Sequence, residues 1–167
     1  MIKLNLGCGP IKMEGYINID AAEQNDPDML IVIGKESLLE KFEADSVDEV
    51  IASNIVEHLF HWEAVKLLND LYSLMKKDAV LVLGLPDFDA VVERKDLSSE
   101  QKITRIFGGQ DIPQGEKDIT IRSNHPELFC HKFVYTKASI SKELSAVGFT
   151  VTLIEDKGTN MFVKAKK

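Results

Sequence analysis

Short segments that alternate apolar and polar residues, or that are wholly apolar, recur along the chain at spacings typical of β-strands. The first, Ile2–Leu6, alternates and then stops at a glycine-rich turn. The run at 29–33 is apolar throughout, as is common for strands buried on both faces. In all, the pattern predicts strands at 2–6, 16–20, 29–33, 47–53, 79–85, 149–155 and 161–165.

Three stretches carry apolar residues at the three- and four-residue spacings that predict amphipathic helices. In the clearest of them Trp62 opens an apolar stripe that we expect to pack on the sheet. The last begins after Thr136, a residue type that caps helix N-termini, and stops at Gly148. The predicted helices cover 62–75, about 99–107 and 136–147.

Strands separated by helices or short connections, with a hairpin at the end, predict a three-layer α/β fold. We expect a mostly parallel sheet with an antiparallel C-terminal strand. Only residues 10–15 separate the first two strands, whereas a parallel crossover usually takes a dozen or more residues, so the first helix should be shortened or absent. We treat 1–167 as a single domain with an insertion at about 87–135, where the regular alternation lapses.

Composition restricts the class of protein. Hydrophobic residues make up 44% of the chain and charged residues 28%, which excludes a disordered or fibrous chain. The net charge of −7 argues against nucleic acid as the main partner. No apolar run approaches the roughly 20 residues of a membrane helix, and Cys8 and Cys130 form no disulfide framework. We therefore expect a cytoplasmic protein with reduced thiols and no membrane partner.

The turn after the first strand, Gly7–Gly9, is the first feature that points to a ligand. Glycines let the backbone approach a ligand closely, and free N–H groups beyond a strand end can bind an anion. Asp20 ends the second strand, where an acidic side chain can accept the hydroxyl protons of a ribose. The alternative is a tight turn beside a solvated aspartate.

The order of motifs resembles the class I S-adenosylmethionine-dependent methyltransferases. Leu-Asn-Leu-Gly-Cys-Gly at 4–9 is similar to the first motif of that family, and Gly-Tyr-Ile-Asn-Ile-Asp at 15–20 to the second. The likeness continues at 45–59, at 74–82 and at 146–149, and Phe-Gly-Gly-Gln at 107–110 is similar to a motif of small bacterial-type members. Together these segments cover most of the chain outside the insertion.

The resemblance implies the fold of that family, S-adenosylmethionine as cofactor and S-adenosylhomocysteine as product. It implies cofactor-binding roles for Leu6, Gly7, Cys8, Gly9, Asp20 and Asn54. Where the family places a carboxylate for the adenine amino group, this chain has Lys35, with Glu36 as a substitute. Without a first helix, the cofactor carboxylate must be bound by loop N–H groups or by Lys12.

Catalytic candidates are titratable groups expected near the methyl group: His58, His131 and Asp87, with His125 behind them. For His58 and His131 the alternative is an ordinary structural or surface role. All three arginines fall between Arg94 and Lys142, a net positive segment. Arginine suits carboxylate and phosphate, so we expect Arg105 and Arg122 to bind an acidic substrate under a lid formed by the insertion. A solvated, mixed-charge surface is the alternative.

No ligand spacing supports a zinc site from Cys130, His131, His125 and His58, so we predict no metal. The function expected is methyl transfer from S-adenosylmethionine to a small-molecule or sugar-like acceptor. Two alternatives stay open. One is a cofactor-binding or regulatory protein that has lost turnover. The other is a nucleotide-dependent enzyme of another class, although the third glycine of a dinucleotide motif is missing.

Overall fold

A computed structural model describes residues 1–108, 110 and 125–167. Within this part of the chain seven strands form one sheet: β1 (Ile2–Leu6), β2 (Ile17–Asp20), β3 (Met29–Leu30), β4 (Val47–Ser53), β5 (Met75–Pro86), β6 (Thr150–Lys157) and β7 (Asn160–Lys166). Their order is β3-β2-β1-β4-β5-β7-β6. The first five strands pair in parallel, and β7 runs antiparallel between β5 and β6. The predicted mixed sheet with an antiparallel C-terminal strand is confirmed.

The helices of the described residues are α1 (His61–Leu74), α2 (Phe88–Glu93), α3 (Ser99–Phe107) and α4 (Lys137–Val147). The predicted helix at 99–107 is confirmed. So is the predicted start of α4, because the Thr136 side chain accepts a hydrogen bond from the Ser139 N–H at 3.1 Å. Gly148, at a φ of 120°, ends α4 in a conformation that favours glycine.

One face of the sheet carries the core. Leu4, Val50, Leu81 and Ala165 are lateral neighbours across four strands and are at most 1% exposed. Apolar residues of α1 and α4 join the same core cluster. Because side chains alternate along a strand, the next row, which includes Ile51, Val82 and Lys164, lies on the opposite face and is partly exposed.

The three crossovers that connect β1 through β4 contain no α-helix, although all of their residues are described. Single 3₁₀ turns occur at Glu23–Asn25 and Leu38–Glu40. The prediction of a shortened first helix is therefore confirmed, and the outer layers over these strands are loops and turns. Among the described residues, no helix is both long enough and apolar enough to span a membrane.

Two details of the sequence prediction are wrong. The strand expected at 29–33 contains only Met29–Leu30, because it lies at the sheet edge with a single neighbour, and Leu30 is 56% exposed. Trp62 does not join the buried stripe of α1 but is 64% exposed. It stands in the first turn of the helix, where the buried positions are taken by Glu63 and Ala64.

Candidate functional site

The Gly7–Gly9 turn leaves the carboxyl end of β1 in a conformation that only glycine adopts readily. Gly7 has a φ of 62° and Gly9 a φ of 53°. A Cβ atom on Gly7 would collide with the side chain of Ile55. The Cys8 N–H donates to the Ile19 carbonyl at 3.0 Å, which holds the turn against β2.

The carboxylate of Asp20 lies directly beside this turn. Its Oδ2 accepts a hydrogen bond from the Gly9 N–H at 2.8 Å. Its Oδ1 accepts from the Ala22 N–H at 2.8 Å and from the Asn25 Nδ2 at 3.1 Å. A carboxylate offers about four acceptor sites. Asp20 therefore orients the glycine turn and keeps acceptor capacity for one more donor, such as a ribose hydroxyl.

The buried side-chain amide of Asn18 orders the short crossover that connects β1 to β2 without a helix. Asn18 Oδ1 accepts from the Asn5 Nδ2 at 2.9 Å and from the Met13 N–H at 2.8 Å. Its Nδ2 donates to Asp28 Oδ2 at 2.9 Å and to the Tyr16 carbonyl at 3.2 Å. These bonds fold the short crossover back onto the strand ends, so the Asn of the Gly-Tyr-Ile-Asn-Ile-Asp motif shapes the loop that carries Gly9.

A pocket of about 380 Å³ opens at the neighbouring strand ends. Asn54 directly follows β4 at a φ of 55°, and its N–H donates to the Gly84 carbonyl of β5 at 2.7 Å. We call this cavity the histidine pocket; it is lined by Asn54, His58, Pro86, Val91, Thr104, Arg105, Gly108, Phe129, His131 and Asn160. Ile55, which packs under Gly7, is the next residue after Asn54, so the glycine turn and the pocket adjoin.

Two imidazoles meet in this pocket. The rings of His58 and His131 form an edge-to-face contact with centroids 4.9 Å apart. His131 Nδ1 lies 3.1 Å from the Ile106 carbonyl, and His58 Nδ1 lies 3.3 Å from the Cys130 carbonyl. Burial lowers the pKa of His131, with the carbonyls of Ile106 and Arg105 opposing it, so the environment favours the neutral imidazole. A side chain on Gly108 would collide with the His131 ring, which explains a glycine at the end of α3.

Glu57 is a residue to which the sequence analysis gave no role. It is 1% exposed, and within the described part of the chain neither carboxylate oxygen has a hydrogen-bond partner. Burial raises the pKa of Glu57 to about 8. Its backbone carbonyl accepts from the Lys132 N–H at 2.8 Å, which joins the 3₁₀ turn Val56–His58 to the segment containing His131.

No protein-family model and no curated protein sequence matches this chain. Solved structures do. An S-adenosylmethionine-dependent methyltransferase from Archaeoglobus fulgidus shares 18% identity at a TM-score of 0.62, covering 99% of this chain and 85% of its own. A second, from Mesorhizobium loti, shares 12% identity at a TM-score of 0.65, and the match covers 99% of this chain and 90% of its own. The 1,6-didemethyltoxoflavin-N1-methyltransferase of Burkholderia thailandensis, with bound 1,6-didemethyltoxoflavin and S-adenosylhomocysteine, shares 10% at 0.60, covering 99% and 70%.

The chain has the class I methyltransferase fold. The sheet order and the antiparallel β7 agree with the fold that the motifs implied. On this methyltransferase fold the predicted cofactor residues fall into two adjoining groups. Leu6, Gly7, Cys8, Gly9 and Asp20 lie around the glycine turn. Asn54 lines the histidine pocket.

Among the predicted catalytic and substrate residues, the methyltransferase fold brings His58, His131 and Arg105 together in the histidine pocket. Asp87 lies outside the lining of that pocket: it is 2% exposed, accepts from the Asp89 N–H at 3.2 Å as the N-cap of α2, and lies 3.5 Å from Lys137 Nζ. Arg122 lies outside the described residues.

The residues proposed for adenine and for the cofactor carboxylate have partners within the protein. Lys35 Nζ pairs with the buried Glu63 at 2.7 Å, beside a second cavity of about 290 Å³. Glu36 Oε1 accepts from the Val32 N–H at 2.9 Å. Lys12 Nζ pairs with Asp26 at 2.7 Å, and His125 pairs with Glu127 at the surface. Each of these side chains is therefore oriented by a partner within the protein.

Proposed function

We propose that this protein transfers the methyl group of S-adenosylmethionine to a small-molecule acceptor bound in the histidine pocket. The observation that carries the proposal is the adjacency of two sites at one edge of the sheet. The Gly7–Gly9 turn packs against Ile55, and the next residue back along the chain, Asn54, lines the pocket. A cofactor on the turn would therefore present its methyl group towards the pocket.

The cofactor half of the site suits a nucleoside. Asp20 accepts hydrogen bonds on both oxygens and is partly exposed at the end of β2, where ribose hydroxyls bind on doubly wound sheets. The 1,6-didemethyltoxoflavin-N1-methyltransferase that shares this fold has S-adenosylhomocysteine bound. Leu6, Gly7, Cys8 and Gly9 would contact the remainder of the cofactor through backbone groups.

The acceptor half suits a small, acidic molecule. A volume of about 380 Å³ lies near the lower end of the roughly 300–1,000 Å³ of small-molecule sites. Arg105 supplies a guanidinium at the rim, and Arg122 of the insertion is a second candidate. His131, neutral and partly buried, is our first candidate for the group that removes the acceptor's proton, and His58 is the second.

We place this reaction in the cytoplasm, with neither nucleic acid nor membrane as a partner. Cys8 and Cys130 are both free thiols, which suits a reducing compartment. The net charge of −7 disfavours binding to nucleic acid.

One observation favours a second candidate, a cofactor-binding protein without turnover. The crossover after β1 has no helix, so no helix N-terminus is offered to the cofactor carboxylate. Lys35, which stands where the family has its adenine-binding carboxylate, is paired with Glu63. Both features would weaken cofactor binding.

Thermal unfolding with S-adenosylmethionine, S-adenosylhomocysteine, NAD or ATP tests the cofactor. A ligand at a hundred times its dissociation constant adds about 2.7 kcal/mol, which raises the midpoint of a domain of this size by roughly 5–10 °C. We expect a shift with the two sulfur nucleosides only. A shift with NAD or ATP alone would support a nucleotide-dependent enzyme of another class.

Turnover separates the enzyme from the binding protein. We would incubate the protein with methyl-labelled S-adenosylmethionine and a panel of small carboxylic acids and sugars, and measure transferred label and S-adenosylhomocysteine. The Asp20→Asn variant serves as the matched control, since it keeps the shape of the side chain. Cofactor binding without transfer to any acceptor would favour the regulatory function.

A further inference from the structure

Three side chains of types that bind metal ions lie close together at the wall of the histidine pocket. Glu57, His58 and His131 each bring one donor atom into a group whose members all lie within 4.8 Å of one another. The first two are consecutive on the turn after β4, and the third lies near the C-terminal end of the insertion. The backbone N–H groups of Lys132 and Phe133 both donate to the Glu57 carbonyl and hold the two segments together.

The hydrogen bonds of the two imidazoles suit metal binding. In each ring Nδ1 faces a backbone carbonyl, that of Cys130 for His58 and that of Ile106 for His131. A proton on Nδ1 satisfies both carbonyls and leaves the lone pair on Nε2. Metal-binding histidines commonly donate their other ring N–H to a carbonyl in this way, which fixes both the tautomer and the ring.

Glu57 supplies the second, independent observation. A carboxyl group that is 1% exposed, with no hydrogen-bond partner for either oxygen in the described part of the chain, is costly to retain. A cation between this carboxylate and the imidazoles would remove that cost. No hydrogen-bond donor among the described residues reaches either oxygen, and Val56 and Leu59 of the same turn belong to the apolar core.

Although the residue spacing in the sequence predicts no metal, we propose that Glu57, His58 and His131 form a binding site for a divalent transition-metal ion of the zinc class. Two imidazole nitrogens and one carboxylate oxygen are a donor set that Zn²⁺ uses, at bonds of about 2.0–2.2 Å. The three donor atoms lie within 4.8 Å of one another, so the side chains must move closer together to bind one ion at these bond lengths. Because His58 and His131 line the pocket, the ion borders it, and its remaining coordination position suits a hydroxyl or carboxylate oxygen of a ligand there. In the metal-bound protein the two imidazoles are ligands and do not act as the base that removes the acceptor's proton, so that role applies to the metal-free protein.

Metal binding to purified, chelator-treated protein tests the site without cofactor or acceptor. We would titrate Co²⁺ by visible absorption and Zn²⁺ by calorimetry, and expect one equivalent of each, with Co²⁺ bands typical of nitrogen and oxygen ligands. Glu57→Gln and His131→Ala should lower the affinity by at least the roughly 10–100-fold that loss of an outer-shell partner costs. Glu57→Gln keeps the shape of the buried side chain, so it should fold.

Two control variants sharpen the experiment. His61→Ala removes a histidine–glutamate contact away from the pocket lining, in which Nε2 lies 2.7 Å from Glu143 on the surface, and should leave the metal affinity unchanged. Cys130→Ser removes the nearby thiol and should do the same. The proposal is overturned if the wild-type protein binds no stoichiometric Zn²⁺ or Co²⁺, or if Glu57→Gln and His131→Ala bind as the wild type does. A failure to bind S-adenosylhomocysteine would count against the proposed function and leave the metal result standing.

Discussion

Replacing Asn18 by alanine tests how a chain without a first helix holds its glycine turn. The side chain is 4% exposed and receives hydrogen bonds from the Asn5 Nδ2 at 2.9 Å and the Met13 N–H at 2.8 Å. Alanine removes that acceptor and leaves two donors in a confined space. Each buried donor without a partner costs about 1–3 kcal/mol. Because the Asn5 amide keeps a weaker bond to the Ile11 carbonyl at 3.3 Å, we expect a loss near the lower end, about 2–4 kcal/mol in total.

Urea unfolding followed by circular dichroism measures this loss, and calorimetry with S-adenosylhomocysteine measures its effect on the site. Asn69→Ala is the matched control, because the bond of that exposed amide within the described residues is to the Val65 carbonyl of α1, and it should change stability by less than about 0.5 kcal/mol. The Asn5→Ala and double variants complete a cycle, in which the shared bond appears as a coupling of about 0.5–3 kcal/mol. A loss below about 1 kcal/mol for Asn18→Ala, or no coupling to Asn5, would refute the reasoning.

Three further predictions follow from the site. Asp20→Ala should weaken S-adenosylhomocysteine binding in calorimetry by at least about tenfold, since bonds to a charged acceptor contribute about 1.5–3 kcal/mol, while circular dichroism stays unchanged. Burial raises the pKa of Glu57 from 4.5 to about 8, so this group contributes stability below about pH 4.5 that is lost as the pH rises through 8. In the presence of a chelator, the free energy of unfolding of the wild-type protein, measured by urea unfolding, should therefore fall by up to about 1.4 kcal/mol per pH unit over this range. Glu57→Gln should flatten this fall, and parallel pH profiles of the two proteins would contradict the prediction. Arg105→Ala should lower turnover without lowering cofactor affinity; equal losses of both would exclude a role confined to the acceptor.

The strands and helices could be predicted because their signals are local. Alternation marked β1 and β2, and a capping threonine with a terminal glycine marked α4 to within a residue. The edge position of β3 could not be predicted in this way, because a short apolar run is similar in an edge strand and a central one. The exposed Trp62 was missed for a related reason, since periodicity alone does not determine what covers the first turn of a helix.

The candidate site also has one part that local sequence signals predict and one part that they do not. The residues around Asp20 and the glycine turn come from one continuous stretch and could be identified from motifs. Glu57 could not, because its burial depends on the segment around Lys132, some seventy residues later in the chain. The only local signal was the glutamate–histidine pair directly after a predicted strand, at the end of a sheet where ligands bind. That signal does not reveal whether the carboxylate points to solvent or into the core.

This division has a consequence for how the two halves of the site respond to substitution. The cofactor half uses residues 5–20, bonded mainly to one another and to nearby residues such as Asp28. The histidine pocket draws on α3, the turn after β4 and the start of β7. Substitutions that share no partner usually act additively. Changes at Arg105 or His131 should therefore alter which acceptor binds without altering the affinity for the cofactor. Changes at Ile55, which contacts the turn and follows Asn54, should affect the binding of both acceptor and cofactor.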